Sequence, residues 1–494
     1  MSKLRTPLAL IVASLVLSDV CPLAQGKPNI VFIMADDLGW SDTSNAITNL
    51  GHPSDFYETP VLERIASEGM AFTNAYTNGA NCAPTRAALL TGVYASRPSN
   101  YVFNVGSLNR AGNNTMLVGP EQGLADGEVA IPTSSFTYAE MLQAACYRTS
   151  HFGKFHVTES GTDGANLIVS DHGFHENFGG QASGGPGAYH ASGGTFGSSI
   201  GPGLDPYAAP YTQQYVNANL KPYASGVSDA AMDALVGTDK HVSDALADAA
   251  IDFMEQEKSG PFLVQFNTFA VHGPIGNVHA RSDLLAKYQN KAPGVEDSNA
   301  SFGALIEGLD QSVGRLVNYL ETTPDPSNAG HTLAENTLLL FYSDNGGKQS
   351  QSNNGPLKGE KGQYDEGGIR VPLIAWSGNP DLVDGGSVNH TPVIGVDFYR
   401  SFAALAGGAV PQGTTVDGVD ISPLFADVEA TVERDSLFWH FPGYLTESGR
   451  DQAPQSVIRA GDCNRSRPGE LIHAAAYALA LFAVSSEGAV LLAK

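Results

Sequence analysis

Two stretches of this chain run into acidic residues in the same way. Asn29-Ile30-Val31-Phe32-Ile33-Met34-Ala35 leads into Asp36-Asp37, and Leu338-Leu339-Leu340-Phe341-Tyr342-Ser343 leads into Asp344-Asn345-Gly346-Gly347. Each is a short apolar run, the pattern of a buried strand. In open α/β sheets, sites form at the carboxyl ends of strands. Adjacent like charges are costly unless a cation or hydrogen-bond donors compensate them. Asp36-Asp37 alone reads equally well as a solvated turn. Together, three carboxylates and an amide are hard oxygen donors suited to Ca²⁺, with Mg²⁺ second. No Cys/His spacing suggests zinc.

A third stretch is Cys82-Ala83-Pro84-Thr85-Arg86-Ala87-Ala88-Leu89-Leu90-Thr91-Gly92. The cysteine stands where a helix starts, with Pro84 in the first turn. A helix N-terminus offers free N–H groups to an anion, and Arg86 adds a planar donor fork for oxyanions. Cysteine and arginine alone would also fit a buried structural thiol near a surface arginine.

Such groups need a scaffold. Strands are expected at 29–35, 262–269, 338–342 and 371–376. Thr59-Pro60 before Val61, Leu62, Ile65 and Ala66, then Gly69, predicts a helix with Thr59 as N-cap. Leu305, Leu309, Val313, Leu316 and Leu320 follow helical spacing and predict a core-facing stripe. Strands alternating with helices imply an α/β domain with a mostly parallel sheet. Residues 179–203 include ten glycines and read as a solvated insertion rather than the wall of a cleft.

The chain has 494 residues, 42% hydrophobic and 16% charged, with 27 Lys+Arg against 51 Asp+Glu and a formal net charge of −24. This composition excludes a disordered, coiled-coil or collagen-like chain. The acidic balance argues against nucleic acid as the main partner. Residues 1–26 read as a signal peptide: Lys3 and Arg5 precede an apolar run at 8–17, too short for a membrane span. The protein is therefore expected to be exported, periplasmic or extracellular, without stable membrane insertion. Of the four cysteines, Cys21 leaves with the signal, so Cys82, Cys146 and Cys463 make no disulfide framework. Cys146 reads as a small buried hydrophobe.

Taken together, these motifs resemble the type I sulfatases of the alkaline-phosphatase-like superfamily. Cys82, Pro84 and Arg86 match the Cys-x-Pro-x-Arg signature, and Thr91-Gly92 its downstream end. Asp36-Asp37 and Asp344-Asn345-Gly346 match the metal motifs. Gly153-Lys154-Phe155-His156, Val271-His272-Gly273-Pro274 and Lys358-Gly359-Glu360-Lys361-Gly362 match three further segments, all in family order. The resemblance covers residues 27–462. It implies a large mixed, mostly parallel sheet flanked by helices, in a catalytic domain over 27–430. Residues 431–494 would form a partial or divergent C-terminal subdomain.

The resemblance also implies a chemistry. Cys82 would be converted by a maturation enzyme to Cα-formylglycine, whose gem-diol attacks sulfur and then ejects sulfate. Asp36, Asp37, Asp344 and Asn345 would hold the cation together with residue 82. Arg86, Lys154 and Lys361 would clamp sulfate oxygens. His272, with Lys361, would protonate the leaving alkoxide, and His156 would deprotonate the second hydroxyl. His151, His172, His175 and His190 belong to no motif and are left outside the machinery. The expected substrate is a sulfated carbohydrate. Two rival readings are a formylglycine-dependent phosphonate or phosphate monoester hydrolase, and a sulfated-glycan-binding protein without turnover. Beyond Asp462 the pattern fails: Cys463-Asn464-Arg465-Ser466-Arg467 and the apolar stretch 471–484 do not resemble the family's C-terminal strands, and the tail reads as truncated or altered.

Overall fold

A computed structural model describes residues 26–97, 130–158 and 169–441, with the strand segments 445–447, 450–452 and 455–460. In chain order the main elements are β1 (Asn29–Ala35), α1 (Pro60–Glu68), β2 (Met70–Tyr76), α2 (Cys82–Thr91), α3 (Tyr138–Ala144), β3 (Arg148–Gly153) and β4 (Glu176–Phe178). There follow α4 (Val242–Glu257), β5 (Phe262–Asn267), α5 (Ser282–Asn290), α6 (Ala300–Thr322), β6 (Thr337–Ser343), β7 (Arg370–Trp376), β8 (Ser387–Asn389), β9 (Val393–Ile394) and α7 (Asp397–Leu405).

Nine strands form one sheet in the order β4-β3-β5-β1-β6-β7-β2-β8, with β9 also on β2. β1 pairs in parallel with both β5 and β6, as do β3 with β4 and β5, and β2 with β8 and β9. β7 alone runs against its neighbours β6 and β2. The start of β7 therefore reaches the same edge as the ends of β1, β5 and β6. That one reversal brings the segment before β7, which carries Lys361, to the carboxylates.

Side chains alternate across a strand, and β1 divides accordingly. Val31, Ile33 and Ala35 face a core built with α4 and α6; Ile30, Phe32 and Met34 face one built with α3 and α7. Both faces are covered, which is why the strands are continuously apolar rather than alternating. The stripe from Leu305 to Leu320 is buried along α6 as expected.

Two local expectations are corrected. Thr59 does not cap α1 with its side chain; its hydroxyl accepts from Ser44 N instead. The free amides of Val61 and Leu62 are taken by the two carboxylate oxygens of Asp310 in α6, at 3.0 and 2.9 Å. Cys146 is half-buried at φ +70° and disulfide-bonded, so it is not a free apolar filler.

At the C-terminal side, Ser436–Phe441 (β10) pairs antiparallel with Gln455–Ala460 (β13), and Leu445–Glu447 (β11) with Arg450–Gln452 (β12). β10 docks on the strand leading to α2: Trp439 Nε1 donates to Thr77 O at 2.6 Å, and its ring meets Tyr76 edge-on at 5.4 Å. Residues 1–25, expected to belong to a signal peptide, and the tail from 461 lie outside the described residues. No helix of the described residues is long and apolar enough to cross a membrane.

Candidate active site

The carboxylates meet where β1 and β6 end side by side, Ala35 opposite Ser343. Asp37 N donates to Asp344 Oδ1 at 3.1 Å and Leu38 N to Ser343 Oγ at 3.2 Å, so each strand end fixes the other. Asp37 sits at φ +62°, a left-handed conformation that costs a non-glycine residue about 1–3 kcal/mol and clusters at functional sites. α2 delivers Cys82 at its first residue, and all ten residues of the helix are buried. The Cys82 thiol donates toward Asp36 Oδ1 at 3.4 Å and Asp37 Oδ1 at 3.7 Å. Among the described residues, Asp36, Asp37, Cys82 and Asp344 form the one cluster that brings a ligand atom from each within 4.8 Å of the others.

Three buried cations face these three carboxylates. Lys154 Nζ lies 2.8 Å from both oxygens of Asp36. Lys361 Nζ lies 2.7 Å from Asp37 Oδ1 and 2.8 Å from its Oδ2. Arg86 donates through Nε and Nη2 to Asp344 Oδ2 at 3.0 and 2.8 Å, and through Nη1 to Lys154 O at 2.7 Å. Its fork is thus turned toward Asp344 and the Lys154 backbone. Formal charges balance, three minus three.

Asn345 Nδ2 donates to Asp37 Oδ1 at 2.8 Å, while the buried Oδ1 of Asn345 has no hydrogen-bond partner. Such an orphaned acceptor is rare unless a cation or water serves it. Hard oxygen donors, one of them unspent, fit a divalent cation of the Ca²⁺ or Mg²⁺ kind.

The histidines come from the ends of β3 and β5. Gly153 at φ +84° leaves no room for a Cβ, which would fall 2.0 Å from Asn267 O. After it, Lys154 N bonds Asn267 O at 2.8 Å and His156 N bonds Gln181 O at 2.8 Å. His156 adopts φ +71°. His272 Nδ1 pairs with Gly273 O at 2.7 Å, leaving Nε2 facing Asp37 Oδ2 at 3.9 Å. β5 ends at Asn267, two residues short of the expected strand, and Thr268 N makes its last bond to β1, to Met34 O at 3.0 Å.

The local field follows from burial and these pairings. Burial would raise Asp37, but Lys361, His272 and Lys154 outweigh it and hold the carboxyl far below its usual range. Asp344 is raised by burial and by Asp36. Burial and then Lys154 push His272 down to about 4, and the same two causes, in that order, push His156 well down, so both rings are neutral at pH 7. Burial and Asp344 raise the Cys82 thiol well above its usual value.

All the site residues expected from sequence (Asp36, Asp37, Cys82, Arg86, Lys154, His156, His272, Asp344, Asn345 and Lys361) converge here. His151 is also close by, buried and bonded through Nε2 to Asn267 Nδ2 at 3.0 Å. The glycine-rich segment is the main correction. A Cβ at Gly184 would fall 2.8 Å from His156 Nε2, and one at Gly185 2.9 Å from His272 Nδ1. Gly184 and Gly185 therefore lie against the two imidazoles, while Gly187 and Ala188 of the same segment are exposed. Asn267, Gly184, Gly185 and Tyr189 carry no sequence signal of their own.

Comparison with known proteins agrees with this fold. The sulfatase family model matches residues 28–409. A Formosa agariphila sulfatase is 38% identical over 453 residues, spanning 88% of this chain and 78% of that one. The chain belongs to the formylglycine-type sulfatase family. The family's members are sulfuric ester hydrolases, and the alkaline-phosphatase-like sheet is the expected one. Human arylsulfatase A is 30% identical, covering 88% of this chain and 74% of that enzyme. Human N-acetylgalactosamine-6-sulfatase is 28% identical over 411 residues, and this chain spans 66% of its length. Among solved structures, Ps i-CgsB in complex with k-i-k-neocarrahexaose matches with a TM-score of 0.60 and 25% identity, over 92% of this chain and 87% of that one. The PsFucS1 sulfatase from Pseudoalteromonas sp. shares the fold, with a TM-score of 0.57 at 20% identity, over 90% of this chain and 82% of that one.

Proposed function

We propose that this sulfatase hydrolyses sulfate esters of carbohydrates, using residue 82 as a formylglycine nucleophile beside a divalent cation. The observation that carries the reading is the Cys82 thiol, 3.4 Å from Asp36 Oδ1 at the start of a buried helix and inside a three-carboxylate cluster. A thiol there is a poor nucleophile, since burial and Asp344 hold it protonated. A hydrated aldehyde at that place would supply two hydroxyls, one to attack sulfur and one to expel sulfate. A Ca²⁺ ion, or Mg²⁺ in second place, would lower the nucleophile's pKa and neutralise sulfate oxygens. Asp36, Asp37, Asp344 and Asn345 would hold it.

The chain's own residues do the rest. Arg86 orients Asp344 and adds positive charge at the floor of the site. Lys154 and Lys361 bring ammonium groups to where sulfate charge accumulates. His272, through Nε2, carries the proton delivered to the leaving alkoxide. His156 takes the proton from the second hydroxyl. A neutral His156 suits a base, whereas His272 must gain its proton in the substrate complex, with Lys361 and Asp37 beside it. With the protein groups in balance, a divalent cation leaves the site positive, which attracts a sulfate monoanion despite the −24 of the whole chain.

The carbohydrate preference is supported by the neocarrahexaose bound to Ps i-CgsB and by the amino sugar named for the human relative. The test is sulfate release from defined sulfated oligosaccharides, with nitrophenyl sulfate and nitrophenyl phosphate in parallel. Release from the oligosaccharides and nitrophenyl sulfate, with little from the phosphate, is expected. Faster turnover of the phosphate would sink the reading.

A further inference from the structure

Tyr189 lies in the glycine-rich segment, ten residues past Gly179 and fully buried. It is not part of any motif. Its backbone is held beside the start of α4, since Val242 N donates to Tyr189 O at 2.8 Å. Its ring stacks on His241, with centroids 5.4 Å apart and planes 20° from parallel. The phenol is thereby aimed at the loop that follows β5. There its hydroxyl lies 2.7 Å from Phe269 O and 2.6 Å from His272 O. Phe269 O also accepts from His272 N at 2.9 Å. One hydroxyl thus ties both ends of the turn that presents His272. The same loop is tied to β1 by Asp36 N to Ala270 O at 3.0 Å and Val271 N to Asp36 O at 2.6 Å.

The segment touches the imidazole itself as well. Gly185 leaves room for the His272 ring, because a Cβ there would sit 2.9 Å from its Nδ1. Ser183 Oγ donates to Gly185 O at 2.7 Å, fixing that turn. The His272 backbone is braced by Tyr189 and its ring is walled by Gly185, both from one stretch of chain.

We propose that Tyr189 is a positioning residue that sets the His272 imidazole against the leaving group, with Gly185 as the wall that fixes the ring. The proposal rests on the reading of His272 as the general acid. Without the phenol O–H, the turn keeps its His272 N to Phe269 O bond but loses its anchor to α4. The ring then samples positions from which proton delivery is poor. General acid–base catalysis contributes about 10²–10⁴-fold, and misplacement forfeits part of that. Substrates with good leaving groups, which need no proton, are spared.

The test compares Tyr189→Phe and Gly185→Ala with the parent enzyme. Tyr189→Phe is expected to lower kcat about tenfold on an alkyl or sugar sulfate and far less on nitrophenyl sulfate. It should add nothing further in a His272→Ala background. A readout independent of turnover is the ring nitrogen spectrum of ¹⁵N-histidine-labelled protein, with the His272 signal assigned by its loss in His272→Ala. In both variants that signal should shift while the signal of His331, paired with Glu335 ahead of β6, stays in place. Gly185→Ala keeps the test alive where Tyr189→Phe folds poorly. If His272→Ala shows no leaving-group dependence, the general-acid reading fails, and the His272 signal alone then decides whether Tyr189 positions the ring. An unmoved His272 signal, or equal losses on both substrate types that persist without His272, would overturn the proposal.

Discussion

Asp310 offers a stability prediction with a definite pH signature. It is buried in α6 and caps α1 from a distance, accepting from Val61 N and Leu62 N at 3.0 and 2.9 Å. Burial drives its carboxyl up from 3.8 to about 8, against the pull of those two amides. Below pH 3.8 the group is protonated folded and unfolded, so it adds no pH dependence. Between 3.8 and about 8 the unfolded chain has released the proton while the folded one retains it. Stability therefore falls as pH rises, by up to about 1.4 kcal/mol per pH unit inside that window. Asp310→Asn removes the titration and keeps one acceptor, at a cost of about 1–2 kcal/mol for the orphaned amide. Asp310→Ala orphans both amides and costs about 3 kcal/mol at low pH. Urea unfolding at pH 4.5, 6.0 and 7.5 reads this directly. Asp310→Asn should be the less stable protein at pH 4.5 and should equal or exceed the parent at pH 7.5. A gap that stays constant, or that widens in the parent's favour as pH rises, would refute the reasoning.

Three further outcomes concern the site. Chelation should abolish turnover and lower the melting temperature, because a cation bound only by the folded state stabilises it; elemental analysis of the untreated protein should find Ca²⁺ or Mg²⁺. Lys361→Ala strands the buried Asp37 carboxylate, so unfolding should show a loss of about 3 kcal/mol, and kcat/KM should fall at least about 100-fold. His272→Ala should hurt sugar sulfates far more than nitrophenyl sulfate, whereas His156→Ala should slow sulfate release on both and accumulate a covalent sulfate adduct detectable by mass spectrometry.

The sequence carried the chemistry more plainly than the scaffolding. Asp36-Asp37 and Asp344-Asn345 were legible because a buried strand that ends in carboxylates is a local pattern, and β1 spans Asn29–Ala35 as expected. The reversed β7 was not legible, since strand direction depends on pairing between distant segments, yet it brings Lys361 to Asp37. Thr59 looked like an N-cap because capping chemistry is usually local, but Asp310, 251 positions later, takes the amides. The glycine-rich segment misled for a related reason. Glycine signals a turn when conformation demands it, but at Gly184 and Gly185 what demands it is the space taken by two imidazoles. The hold of Asp344 on Arg86, across 258 residues, has no local signal either.

The central claim is that residue 82 works as formylglycine rather than as cysteine, and one peptide mass tests it. Protein made with and without a formylglycine-generating maturation enzyme should be digested, and the peptide carrying residue 82 weighed. Conversion of CH₂SH to an aldehyde removes about 18 Da. The account predicts that sulfate release across preparations scales with the converted fraction, and that unconverted protein folds but is nearly inactive. Full sulfate release from a preparation in which every Cys82 is still a thiol would contradict it.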